Sequence, residues 1–277
     1  MTLFEAVFGL CPAVTAPNIV KHLKAAGIGD WEDMTVEALY NLRDELRGSV
    51  APNTAKTYLA ELRRIIKRHK RKFSGIAAEE WEEALAILKV KGEKPVKTYL
   101  TPDEIDALAK VKPATAIERW VQAAFLCGCY TGARVSDIRT LTAENFRDGN
   151  LEYVSKKTGV HSVVPAKPCL RELVEIVQNG EDVCLMSYNR SLREMARRAG
   201  ITETVKIYKA GETRTVPKCD AISSHTARVS FCTNLVAAGA SVADVSRMAG
   251  HTSPMMTARY VCEYVVKLPQ KAMQFFL

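Results

Sequence analysis

No stretch of the 277 residues approaches the roughly 20 consecutive apolar residues that span a bilayer. The start, Met1 to Val7, lacks a basic segment followed by a long apolar one, so no secretory leader is expected. Paired CxxC spacing is missing as well. The eight cysteines, at 11, 127, 129, 169, 184, 219, 232 and 262, lie mostly in apolar runs and are expected to be free thiols, most of them buried. Cys127-Gly-Cys129 has no second pair and no nearby histidine to complete a zinc site. There is no internal repeat and no low-complexity tract. These absences set aside a membrane span, a disulfide scaffold and a zinc module, and make a reducing cytoplasm the expected compartment.

What remains is a globular composition, 47% hydrophobic and 25% charged, long enough for one large domain or two ordinary ones. Lys+Arg number 39 against Asp+Glu 31, a net charge of +8 that favours a polyanionic partner.

Apolar residues at three- and four-residue spacing predict helices over 16–26 and 36–46. A third helix follows Pro52, with Tyr58, Leu62, Ile65, Ile66 and His69 on one face and Lys56, Arg63, Lys67 and Arg71 largely off it. Seven of the ten residues from Arg63 to Lys72 are Lys or Arg, a density suited to phosphate contact. A fourth helix is expected over 77–88. Val90 to Lys97, with Gly92, Pro95 and three lysines, reads as a linker. Thr101-Pro-Asp-Glu104 is a capping box that starts a new domain. The expected boundaries are 1–92, a linker 93–98, and 99–277. In the second domain a helix over 114–129 runs into the break Thr131-Gly-Ala-Arg134. Hairpins are expected from 151–155 with 160–164 and from 205–208 with 213–216. From Ser224 onward the pattern is helical, and Tyr260 is expected inside a helix that starts near Pro254.

Several residues in this second domain suit phosphate chemistry. His225 and Arg228, three apart at a helix start, share one face and can reach one anion together. Arg134 stands where a glycine break turns into a helix, with Asp137 one turn on as its structural partner. Lys156 and Lys157 lie at a hairpin tip, where at most one is expected to enter a site. His251 follows the helix stop Gly250, and Tyr260 comes nine residues later.

Together, Thr131-Gly-Ala-Arg134-Val-Ser-Asp-Ile, Ser155-Lys-Lys157-Thr-Gly-Val, His225-Thr-Ala-Arg228 and Gly250-His251-(eight residues)-Tyr260 resemble the tyrosine recombinase (phage integrase) family. The resemblance covers roughly 98–265, and the N-terminal helices resemble that family's SAM-like core-binding domain. The implied fold class is mainly α with a small β-sheet: a helical core-binding domain plus the tyrosine-recombinase catalytic domain. The implied roles are Tyr260 as nucleophile, Arg134 and Arg228 on the non-bridging phosphate oxygens, and Lys157 as acid for the leaving 5′-oxygen. His225 would be acid/base near Tyr260, and His251 a phosphate ligand. Lys157 fits the motif better than Lys156. No metal or cofactor is expected, because the phosphotyrosine bond stores the energy for religation.

The resemblance implies a DNA breaking–rejoining enzyme that integrates or excises a mobile element. It would be a monomer when free and a homotetramer on two double-stranded core sites. Such an enzyme would work in a bacterial or phage cytoplasm at the nucleoid, with no membrane partner. Expected duplex contacts are Thr54, Lys56, Arg63, Arg64, Lys67 and Lys94. The apolar end of the chain, 267–277, is expected to pack on its own domain or on a neighbouring protomer. With no separate arm-binding domain ahead of the helices, binding to core sites only is expected. Val229 departs from the family pattern, where a polar or basic residue is frequent, and the 205–216 insert is long. A type IB topoisomerase is the nearest rival, disfavoured because that family usually has lysine where His225 stands. A silent DNA-binding protein on the same scaffold is the other, disfavoured by the intact six-residue set.

Overall fold

The computed structural model describes residues 1–72, 76–92, 97–209 and 212–261. Lys94 and the 267–277 tail therefore lie outside the described residues, as do 93–96 of the expected linker. The chain divides between Pro95 and Val96 into two compact units, and Tyr208–Arg214 groups with the first. No described helix is long and apolar enough to cross a membrane.

The first unit holds α1 (Leu3–Leu10), α2 (Ala16–Ala25), α3 (Val36–Ser49), α4 (Pro52–Arg68) and α5 (Trp81–Ile87). Helix α1, which the periodicity did not suggest, starts on a capping box in which the Thr2 hydroxyl accepts from Glu5 N–H while the Glu5 carboxylate receives Thr2 N–H. Helix α4 begins with proline at its first turn, where no intrahelical N–H is lost. It buries Ala55, Leu59, Leu62, Ile65 and Ile66. The apolar face is therefore centred one residue from the expected one: Leu59 is fully covered and Tyr58 only half. The helix expected over 77–88 is a 3₁₀ turn, Ala78–Glu80, running into α5. Leu3, Leu23, Leu39, Leu42, Leu59 and Ile65 meet in one core.

The second unit runs α6 (Pro102–Lys110), α7 (Ala116–Thr131), α8 (Val135–Ile138), β1 (Phe146–Arg147), β2 (Asn150–Val154), β3 (His161–Pro165), α9 (Leu170–Asn179) and α10 (Leu185–Arg198). The chain continues through β4 (Thr204–Lys209) and β5 (Glu212–Pro217), whose adjoining ends group with the first unit, and then α11 (Lys218–Ala221), α12 (Thr226–Ala237), α13 (Val242–Met248) and α14 (Pro254–Ala258). The Thr101 capping box starts α6 as its residues require. Helix α7 is buried on nearly every side from Trp120 to Cys129, which makes it the axis of this unit. It packs against α9, α10 and α12, and the Trp120 indole N–H donates to Val177 O at 3.0 Å. The β1-β2-β3 sheet is antiparallel, with Leu151 opposite Val164 and Tyr153 opposite Ser162. All four of these residues are buried while their neighbours alternate outward, so the register sets which face of the hairpin looks inward.

Cys11, Cys127, Cys129, Cys219 and Cys232 are buried free thiols, whereas Cys169 and Cys184 are exposed. Burial pushes the thiols of Cys127 and Cys232 up to about 12, too high to form a thiolate at neutral pH.

Candidate active site

Four connections converge on one pocket of the second unit. The first is the end of α7. Gly132 caps the helix in the left-handed conformation (φ 69°), and a Cβ there would lie 2.5 Å from the Phe231 ring of α12. Only glycine meets both conditions. Arg134 follows as the N-cap of α8. Its Nη1 donates to Ser155 Oγ at 2.9 Å and stands 3.9 Å from the Asp137 carboxylate. Asp137, 1% exposed, spends its stronger bonds elsewhere. It accepts the Ser155 hydroxyl at 3.2 Å and Lys156 N–H at 3.0 Å. The expected Arg134–Asp137 pair therefore exists, but Asp137 chiefly fixes the turn between β2 and β3. That turn carries Lys156 and Lys157, both exposed. The Lys157 charge is among those that act on His225.

The second connection leads into α12. Ser224 N–H is held by Asn189 Oδ1 of α10 at 2.9 Å, which sets where His225 begins the helix. Arg228, one turn on, is 1% exposed. Its Nε donates to His251 Nε2 at 3.2 Å and its Nη1 to Gly132 O at 2.7 Å. Its Nη2 is buried and has no hydrogen-bond partner among the described residues. Burial, followed by the charge of Arg134, pulls the Arg228 pKa down from its ordinary value. Such a buried cation with an open N–H is ready to receive an anion.

The third connection is the stop after α13. Gly250 has φ 64°, and a Cβ on it would fall 2.6 Å from Ser162 Oγ. This close approach to β3 seats His251, which is 6% exposed. Arginine Nε can only donate, so His251 Nε2 must accept from Arg228. The neutral ring then carries its proton on Nδ1, which lies 2.7 Å from Thr257 Oγ1. Burial, then the charges of Arg228, Arg134, Lys97 and His225, brings the His251 pKa down to about 3.

The fourth is the turn after α14, which carries Tyr260. Tyr260 does not lie inside a helix, as its sequence context suggested: α14 ends at Ala258. It stands in the following turn, its N–H bonded to Thr257 O at 2.7 Å and its carbonyl accepting from Thr233 Oγ1 at 3.3 Å. A turn of this kind follows because Pro254 starts α14 and only five residues remain helical. The half-buried ring is 4.8 Å from the His251 ring and 5.2 Å from the His225 ring, centroid to centroid. The Arg228 guanidinium is 5.6 Å from its centroid and Lys97 Nζ 4.2 Å. His225 is exposed on its outer side. Loss of solvent on its inner side, then the charges of Arg228, Lys97, Arg134 and Lys157, lowers its pKa to about 4.

Arg228, His225, His251 and Tyr260 thus adjoin one another, Arg134 stands close enough for its charge to act on them, and Lys157 acts on His225 by its charge from an exposed turn. Lys97, Ser155 and Thr257 belong to the same surroundings and were missed as site residues. Lys97 donates to Arg259 O as well as covering the Tyr260 ring, yet in sequence it is one of three lysines in a linker-like run. Only the trio Ser155-Lys-Lys carried a local signal, through its motif.

Of the expected duplex contacts, Thr54, Lys56, Arg63, Arg64 and Lys67 lie on α4 of the first unit. Lys56 and Lys67 are exposed, and Thr54 and Arg63 half-buried. Arg63 Nε is buried with no hydrogen-bond partner among the described residues. Arg64 is exposed but already paired with Glu61 at 2.6 Å and bonded to Leu10 O.

Comparisons with known proteins give one family match and several structures of similar fold. The phage integrase family model matches residues 98–265. A search of curated proteins finds no match. Among solved structures, the Tn1549 transposon integrase in complex with circular intermediate DNA superposes with TM-score 0.68 at 13% identity, covering 100% of both chains. A lambda integrase dimer bound to a COC′ core site gives 0.67 at 18% identity, covering 94% of this chain and 95% of that one. A lambda integrase tetramer bound to a Holliday junction gives 0.65 at 16%, covering 96% and 79%. At such identities the structures speak for the fold, which is mainly helical with small sheets. The matched segment spans more than half the sequence and contains all six expected site residues, and the chain belongs to the phage integrase family.

Proposed function

We propose that the protein is a site-specific DNA recombinase that breaks and rejoins duplex DNA through Tyr260. The observation that carries this reading is the buried Arg228 guanidinium, which keeps an unmatched N–H beside Arg134 and the Tyr260 ring. In the proposed step the Tyr260 oxygen forms a bond to the scissile phosphorus while the bond to the 5′-oxygen breaks. His225, neutral at pH 7 with a pKa near 4, accepts the tyrosine proton. Lys157 gives a proton to the departing 5′-oxygen. Arg134 and Arg228 hold the non-bridging oxygens as charge builds on them, each such donor contributing about 3 kcal/mol. The product is a 3′-phosphotyrosine and a free 5′-hydroxyl, and reversal on a new 5′-hydroxyl rejoins the strand. Neither metal nor nucleotide enters, because the phosphoester count is conserved.

His251 takes a different part from the one its motif implies. Both ring nitrogens are engaged by the protein, so we assign it to the orientation of Arg228 rather than to the phosphate. The first unit would be the core-binding domain, with Lys56, Arg63 and Lys67 of α4 at the duplex. The DNA-bound integrases of similar fold support assembly on two core sites as a tetramer, and the Tn1549 likeness supports a mobile-element role.

The test is covalent capture. Duplexes with a randomised core and a nick are incubated with protein, resolved on denaturing gels, and the trapped strands sequenced. Wild type should yield an adduct on a restricted set of sequences and Tyr260→Phe none. An adduct that survives Tyr260→Phe overturns the assignment, and relaxation of any supercoiled plasmid regardless of sequence would favour topoisomerase action instead.

A further inference from the structure

We infer that Thr257 is a positioning residue of this site: its hydroxyl holds the single proton of His251 on Nδ1 and thereby aims Arg228. The inference rests on the reading of Arg228 as the arginine that holds the phosphate. Thr257 is fully buried in α14, three residues before the nucleophile. A relay of short contacts starts from it. Thr257 Oγ1 lies 2.7 Å from His251 Nδ1, His251 Nε2 accepts from Arg228 Nε at 3.2 Å, and Arg228 Nη1 reaches Gly132 O at 2.7 Å. Of the three guanidinium nitrogens, Nη2 alone has no hydrogen-bond partner among the described residues.

The direction of the relay is forced at one end. Arg228 Nε carries a hydrogen that it cannot lose, so the facing His251 nitrogen must be bare. A neutral imidazole whose proton moved to Nε2 would set N–H against N–H. One of the two side chains would then swing, and Nη2 would lose its direction. The charges that bear on His251 are Arg228, Arg134, Lys97 and, when protonated, His225, all positive. They keep the ring neutral but do not choose which nitrogen holds the proton. Arg228 Nε leaves that proton to Nδ1, and the Thr257 hydroxyl, accepting at 2.7 Å, keeps the buried Nδ1–H satisfied there.

The same residue also ties down the nucleophile. Its carbonyl accepts Tyr260 N–H at 2.7 Å while its hydroxyl serves His251. Thr257 therefore links the backbone of the attacking group to the side chain that receives the phosphate. That link fixes their relative placement, to which phosphoryl transfer is sensitive.

Thr257→Val removes the hydroxyl at nearly constant shape, and Thr257→Ser keeps it. Long-range 1H–15N spectra of the full chain with 15N-labelled histidine report which ring nitrogen is protonated, and His251→Asn assigns the signal among the five histidines. Wild type and the serine variant should show the proton on Nδ1, and the valine variant should populate the Nε2 form. Adduct formation on nicked duplex should fall at least about tenfold in the valine variant, with duplex affinity within about twofold, and the serine variant should recover it. Wild-type cleavage by the valine variant overturns the inference. So does abolished cleavage with the proton still on Nδ1, or a wild-type ring protonated on Nε2. A wild-type chain that forms no adduct at all would defeat the recombinase reading, while the spectra would still decide the relay.

Discussion

At the residue scale the pocket is governed by crowding of positive charge. Burial first, then the charges of Arg134, Arg228 and Lys97 on both rings and of Lys157 on His225, hold both histidines neutral far below the usual range. For His251 the unfolded chain takes up a proton near pH 6.5, whereas the folded ring does so near 3. Between those values the unfolded state binds more protons, so stability falls as pH drops through the window and is level above it. Chemical denaturation at pH 7 and pH 5 should show a loss of at most about 2 kcal/mol from this group. The loss should shrink in His251→Gln. A pH-independent midpoint shared by both proteins would show the ring titrating normally.

At the element scale the site is a set of helix ends and turns, each fixed by a residue that touches no ligand. Asp137 is the clearest: it reaches from α8 to the turn after β2 and holds both the Ser155 hydroxyl and Lys156 N–H. Asp137→Ala leaves two buried or half-buried groups short of a partner and should cost about 2–4 kcal/mol in denaturant titrations. Amide exchange at 155–159 should speed up, and adduct formation should drop because Lys157 is no longer presented. Unchanged exchange there would show that the turn stands without Asp137.

The legibility of the sequence followed the same scale. Capping at Thr101, the break at Gly132 and the first hairpin were readable because their signals are local. Helices α1, α9, α10 and α11 and the short strand β1 went unread, although α9 and α10 are strongly amphipathic and α1 carries its own capping box. The six-residue set was readable from its motifs, but Lys97 over Tyr260 and Thr257 under His251 depend on contacts between segments. A linker lysine and a mid-helix threonine carry no mark of them. Tyr260 was placed in a helix because Pro254 reads as a helix start, and nothing local says that the helix ends after five residues.

At the scale of the whole molecule, part of the +8 charge gathers at two places. One is the pocket, and the other is the exposed side of α4, where Lys56 and Lys67 face solvent. If α4 meets the duplex backbone, Arg63→Ala with Lys67→Ala should weaken binding on every sequence alike. It should also flatten the log–log salt dependence by about 1 for each phosphate that is no longer neutralised. An unchanged slope would place the duplex on another face.

The unmatched Nη2 of Arg228 has a consequence for heat resistance. A desolvated N–H with no acceptor is a standing penalty on the native state, and any small tetrahedral anion that fills the gap relieves it. Melting temperature should therefore climb with millimolar sulfate, by mass action on the folded form alone, and should climb less in Arg228→Ala. Equal gains in both proteins would mean that the salt acts elsewhere. On this account an anion held at Arg228 would double as a thermal stabiliser.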